Sequence, residues 1–92
     1  MSTDLVRRRV VFSGRVQGVF FRDTARRHAE RLGIAGWASN RRDGAVEAVF
    51  EGSPEEVEQL IELCREGPRG AAVERVEVSE ERPEGLAGFS IR

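Results

Sequence analysis

The stretch LVRRRVVFS sets Val6, Val10, Val11 and Phe12 among arginines and predicts a β-strand. In FFRDTARRHAERLG, Phe21, Ala25, Ala29 and Leu32 recur at steps of four, four and three. That spacing puts them on one face of a helix, which Gly33 ends. IAGWASN and AVEAVFE flank RRDG, whose Asp-Gly pair predicts a hairpin turn between two strands. In the second of these strands Val46, Ala48 and Phe50 share one face, and Glu47 and Glu51 point the other way. GSPEEVEQLIELCREGP predicts a second helix: Ser53 caps it, Pro54 fits its first turn, and Glu56 completes a capping box. Its apolar stripe is Val57, Leu60, Ile61 and Cys64, and Gly67-Pro68 stops it. AAVERVEVSE alternates as a further strand, RPEGLAG predicts an exposed loop, and GFSIR predicts a short last strand.

Two helices can cover only one face of such a sheet. The expected fold is therefore α+β, a ferredoxin-like βαββαβ open sandwich: an antiparallel sheet with two helices on one face. The 92 residues make one domain, 1–92, with no internal repeat and no linker.

Composition narrows the partners. At 39% hydrophobic and 34% charged the chain reads as a folded soluble domain. No apolar run approaches the ~20 residues that span a bilayer, and arginines interrupt the amino-terminal MSTDLVRRRVVFS where a signal peptide would be apolar. A cytoplasmic location, without a membrane partner, is the expectation. Cys64 is the only cysteine, so no internal disulfide forms and a cysteine-based metal site is not expected. All fifteen basic residues are arginine, which excludes Schiff-base chemistry through lysine. The net charge of −1 hides a segregation: residues 1–42 hold ten Arg against three acids, and residues 43–92 hold five against thirteen. Such asymmetry marks either an anionic partner for the basic part or attraction between the two halves within the fold.

The connection GRVQGVFFR carries two glycines and none of the Asp, Asn or Ser residues that ordinarily make a turn. A strand-to-helix loop leaves backbone N–H groups without helical partners. Gly14 and Gly18, on either side of RVQ, allow those groups to turn into one concavity, a nest for an anion at a helix N-terminus. Arg22 in the first helical turn opposes the helix dipole by ~0.3–1 kcal/mol. An anion between the two would reverse that sign, and a guanidinium fork matches two phosphate oxygens. Arg22 could equally be exposed, or pair with Asp23 or another carboxylate. The loop is neither a Walker loop nor GxGxxG. Asn40, at the strand end entering RRDG, is either a turn-former or an amide offering donor and acceptor to a water or oxyanion. Spacing alone does not join it to the first loop. His28, the only histidine, lies beside the apolar stripe of its helix without an obvious partner and reads as a partly buried structural residue.

Taken together, GRVQGVFFR, GWASNRRDGAVE, EGP after the second helix and the closing FSIR resemble the acylphosphatase family over essentially the whole chain. Phe12 stands where an aliphatic residue is usual, Ala38 is a smaller choice, Ser39 replaces a longer and often basic side chain, and Ala45 replaces a frequent Ser or Thr. None removes a group assigned to catalysis; they bear on substrate preference and turnover. The resemblance implies hydrolysis of the carboxyl–phosphate bond of small acyl phosphates by a monomer, without metal or cofactor. It implies that Arg22 binds the phosphoryl oxygens together with N–H groups of Arg15, Val16, Gln17, Gly18, Val19 and Phe20. Asn40 would orient the attacking water. Two rivals share the fold. An RNA-binding module would need stacking aromatics on its strands, and the chain has no Tyr, one Trp and no RGFGFV-like strand. A phosphate sensor would need Arg22 but not Asn40.

Overall fold

In the computed structural model, which describes residues 4–92, the elements run β1 (Val6–Arg15), α1 (Phe21–Leu32), β2 (Ala35–Asn40), β3 (Val46–Gly52), α2 (Pro54–Glu66), β4 (Ala72–Glu81) and β5 (Phe89–Ile91). The first three residues of the expected 1–92 domain, and of the segment read as unlike a signal peptide, lie outside the described residues. No helix among the described residues is long and apolar enough to cross a membrane.

The strand order is β4-β1-β3-β2-β5. Four strands pair antiparallel, but β5 runs parallel to β2, so the expected antiparallel sheet is a mixed one. The reason is topological. β4 descends along one edge, and residues 82–88 carry the chain across the bottom of the sheet to the other edge. A strand entering there can only run upward, beside and parallel to β2.

Both helices pack on the face presented by Val10, Phe12, Ala38, Val46, Ala48 and Phe50, as the alternation requires. Phe21, Ala25 and Ala29 of α1 and Val57, Leu60, Ile61 and Cys64 of α2 complete this core. Each fully buried large side chain contributes ~1.5–3 kcal/mol relative to exposure. Phe12 and Phe21 pack with ring centroids 5.1 Å apart, which ties the end of β1 to the start of α1. The expected capping box of α2 takes another form. Ser53 stands at the N-cap in extended conformation, but its Oγ donates to Glu56 Oε1 at 2.7 Å and caps no backbone N–H. A hydroxyl beside an ionised carboxylate makes the stronger, charge-assisted bond.

The face away from the helices explains the charge segregation. Arg7 of β1 is 4% exposed and reaches Glu51 of β3 at 2.7 Å and Glu81 of β4 at 2.8 Å. Arg9, one step along the same face, pairs with Glu47 and with Glu81. The basic first half and the acidic second half thus meet across three neighbouring strands. Glu51 also accepts backbone N–H groups of Glu84, Gly85 and Leu86 at 2.8, 3.1 and 3.0 Å. The RPEGLAG loop, expected to be exposed, does expose residues 82–85, yet its backbone is pinned to the sheet. Burial alone would push the Glu51 carboxyl up. The Glu84 N–H, Arg7 and the Leu86 N–H outweigh burial and hold it below the ordinary carboxylate value.

Candidate active site

The site grows out of the end of β1. Between Ser13 and Gly14 the pairing with β4 shifts by a bulge, and Gly14 adopts φ 119°. A Cβ there would stand 2.2 Å from the carbonyl oxygen of Ala72, so only glycine permits this approach of strand to strand. Gly14 therefore belongs to the sheet, not to the loop it was expected to flank. Arg15, still within β1, lies opposite Ala72. The loop proper comprises residues 16–20. Val16 anchors it in the core at 1% exposure, and Gly18 turns it with φ 74° in open space.

Phe20 ends the loop as the N-cap of α1, in left-handed conformation with φ 61° and ψ 30°. Its carbonyl accepts the first helical bond, from Thr24 N–H at 3.0 Å. A side chain with a Cβ in that conformation costs ~1–2 kcal/mol. No side chain caps α1, in keeping with a loop that lacks Asp, Asn and Ser. The cavity lies before the positive end of the helix, whose first turn carries one acid, Asp23.

That cavity, about 280 Å³, is lined by Val16, Gly18, Phe20, Phe21, Arg22, Asp23, Asn40 and Ile91. Of the expected phosphate-binding residues it brings together Val16, Gly18, Phe20 and Arg22. Arg15, Gln17 and Val19 sit in the adjoining chain without lining it. Asn40, which spacing could not connect to the loop, lines the same cavity. It arrives there because β3 pairs with both β1 and β2, with Val46 facing Phe12 on one side and Asn40 on the other. The side chain of Gln17 makes the connection covalently remote but mechanically direct: its Nε2 donates to the carbonyls of Arg41 at 2.8 Å and Ala45 at 2.9 Å. The first loop and the β2–β3 turn are thereby one unit.

Arg22 is half-buried, and its Nη1 donates to the main-chain oxygen of Arg92 at 2.9 Å. Asp23 is not its partner, because Asp23 is taken by Arg26 at 2.7 Å and Arg27 at 3.0 Å. No Asp or Glu side chain pairs with Arg22 among the described residues, so the guanidinium donors not taken by Arg92 stay available to the cavity, and the Asp23 charge is offset from outside it. The Asn40 carboxamide makes no hydrogen bond within the described residues, which leaves donor and acceptor both open.

His28 does have a partner: its Nδ1 lies 2.9 Å from Arg31 Nη2. Burial, then Arg31 and Arg27, push its pKa down and favour the neutral ring. It lies outside the cavity. Cys64 is 2% exposed, and burial pushes its thiol up to about 12. No group of three or more His, Cys, Asp or Glu among the described residues stands together to hold a metal ion.

Sequence reasoning missed the Gln17 side chain and Ile91. The first had a signal, a long amide between two turn-forming positions of a short loop. The second had none, since Ile91 reaches the cavity only because β5 runs parallel to β2.

The fold and site define a ferredoxin-like sandwich with a cavity at a helix N-terminus that no side chain caps, fronted by an arginine without an Asp or Glu partner and by an asparagine amide. The acylphosphatase family model matches residues 8–91. An acylphosphatase of Rubrobacter xylanophilus is 59% identical over 85 residues, covering 91% of this chain and 77% of that protein. One from Gloeobacter violaceus is 52% identical, covering 94% and 92%. The solved structure of a Coxiella burnetii acylphosphatase superposes with a TM-score of 0.93 at 38% identity, covering both chains in full. The chain belongs to the acylphosphatase family, and it is an acylphosphatase enzyme.

Proposed function

We propose that the chain hydrolyses small acyl phosphates to a carboxylate and inorganic phosphate in this cavity. The observation that carries the reading is that Gly18, Arg22 and Asn40 line one cavity at the uncapped start of α1. Arg22 and backbone N–H groups of the loop from Arg15 to Phe20 hold the phosphoryl oxygens. Of the five guanidinium donors, one is engaged by Arg92, and the others remain for a bidentate grip. Asn40 orients the attacking water in line with the carboxylate leaving group.

So sparse a site suits the reaction. The leaving carboxylate has a conjugate acid of pKa about 4, so it departs without a strong general acid. A transferring phosphoryl group needs positioning and charge stabilisation more than covalent help. The water proton passes to the substrate phosphate itself, and neither His28 nor Cys64 takes part.

Turnover of benzoyl phosphate in the presence of a chelator is the test. Arg22→Ala should abolish both binding and rate. Asn40→Ala should lower kcat by roughly 100- to 1,000-fold, the usual loss for one preorganised donor, with a smaller change in KM. An Asn40→Ala enzyme altered only in KM would remove its water-orienting role. Phosphate binding without turnover in the native chain would make it a sensor.

A further inference from the structure

We infer that Phe20 and Ile91 form the acyl end of the cavity, and that this enzyme prefers acyl phosphates whose acyl group is aromatic or otherwise apolar. The inference rests on the proposed function, because it assigns the part of the cavity that the phosphoryl end leaves over. Among the described residues four large hydrophobic side chains are exposed: Leu5, Phe20, Val78 and Ile91. Two of these four, Phe20 at 80% and Ile91 at 37%, line this one cavity.

Phe20 has no structural reason to be a phenylalanine. Its ring joins neither of the two aromatic pairs of the core, Phe12–Phe21 and Phe50–Phe89. Its backbone holds the left-handed conformation that glycine or asparagine adopts at lower cost. A strained, solvent-facing aromatic at the edge of a site points to a ligand contact. The volume agrees: about 280 Å³ lies near the ~300 Å³ lower end of small-molecule pockets, more than the five heavy atoms of a phosphate fill. With the phosphoryl group against Gly18 and Arg22, an acyl group extends toward the remaining lining, where Phe20 offers a face for offset stacking and Ile91 an aliphatic contact.

The test compares kcat/KM for benzoyl and acetyl phosphate in the native chain, Phe20→Asn and Ile91→Ala. Asparagine tolerates the left-handed conformation, so that variant removes the ring with little change in backbone preference. The benzoyl-to-acetyl ratio should fall roughly three- to tenfold in Phe20→Asn, the range of one aromatic pair, and in the same direction in Ile91→Ala. Competition by phenylphosphonate and methylphosphonate gives a second readout on the native chain, and the phenyl compound should bind more tightly. Turnover of both substrates with an unchanged ratio in both variants, or equal binding of the two phosphonates, would overturn the acyl subsite and leave the hydrolase reading standing. Turnover of neither substrate by the native chain would overturn the proposed function and this inference with it.

Discussion

Glu51→Gln removes one charge from the bottom of the sheet and keeps the shape of the side chain. In the native chain the carboxylate accepts four donors, three loop N–H groups and Arg7 Nη1. A carboxamide in the same place offers one oxygen and turns an NH₂ toward groups that are themselves donors. Losing one partner of a buried pair costs ~3–5 kcal/mol. Arg7 keeps Glu81 at 2.8 Å and Glu84 at 3.6 Å, which favours the lower end, about 3 kcal/mol. In a domain of this size each 1 kcal/mol moves Tm by ~4–8 °C, so Tm should fall by roughly 12–24 °C. The pH dependence fixes the cause. Because the folded carboxyl titrates below its unfolded value, its contribution is present above the ordinary carboxylate pKa and is lost as pH falls through the folded one. Urea unfolding from pH 7 down to pH 3 should therefore show a native curve falling toward that of the variant, with the gap largest at neutral pH. A gap under about 1 kcal/mol at pH 7, or one that does not narrow with acid, would refute the assignment of Glu51 as the anchor of the loop.

Gln17→Ala should cut kcat by roughly tenfold and lower Tm by roughly 4–24 °C, because it unlinks the loop from the Asn40 turn while removing two bonds worth ~0.5–1.5 kcal/mol each, about 1–3 kcal/mol together. Equal turnover in that variant would show the two segments hold position without it. Gly14→Ala should destabilise far more than Gly18→Ala in denaturant titration, since both carry positive φ but only the first places a Cβ against backbone, 2.2 Å from Ala72 O. Comparable losses would refute the close-approach argument. Cys64, with its thiol pushed up to about 12, should resist a thiol reagent at pH 8 in the folded chain and react on unfolding in urea; rapid reaction in buffer would contradict its burial.

Local periodicity was enough for the helices and strands, because an amphipathic stretch declares which face it must bury wherever it ends up. Phe21, Ala25 and Ala29 are buried as their spacing requires, and so are Val57, Leu60, Ile61 and Cys64. The uncapped helix was legible too, as a loop without Asp, Asn or Ser, and so was Arg22 as a cation at the wrong end of a dipole. What the chain could not declare locally depends on which strands become neighbours. Glycine reads alike whether it permits a turn or a close approach, so only the pairing of β1 with β4 moved Gly14 from loop to sheet. A glutamate on the polar face of a strand reads as solvated until a loop from thirty residues later folds its amides onto it, as happens to Glu51. The meeting of Arg22, Asn40 and Ile91 in one cavity is likewise a product of strand order, since a contact between distant segments is a property of the packed sheet and of no segment alone.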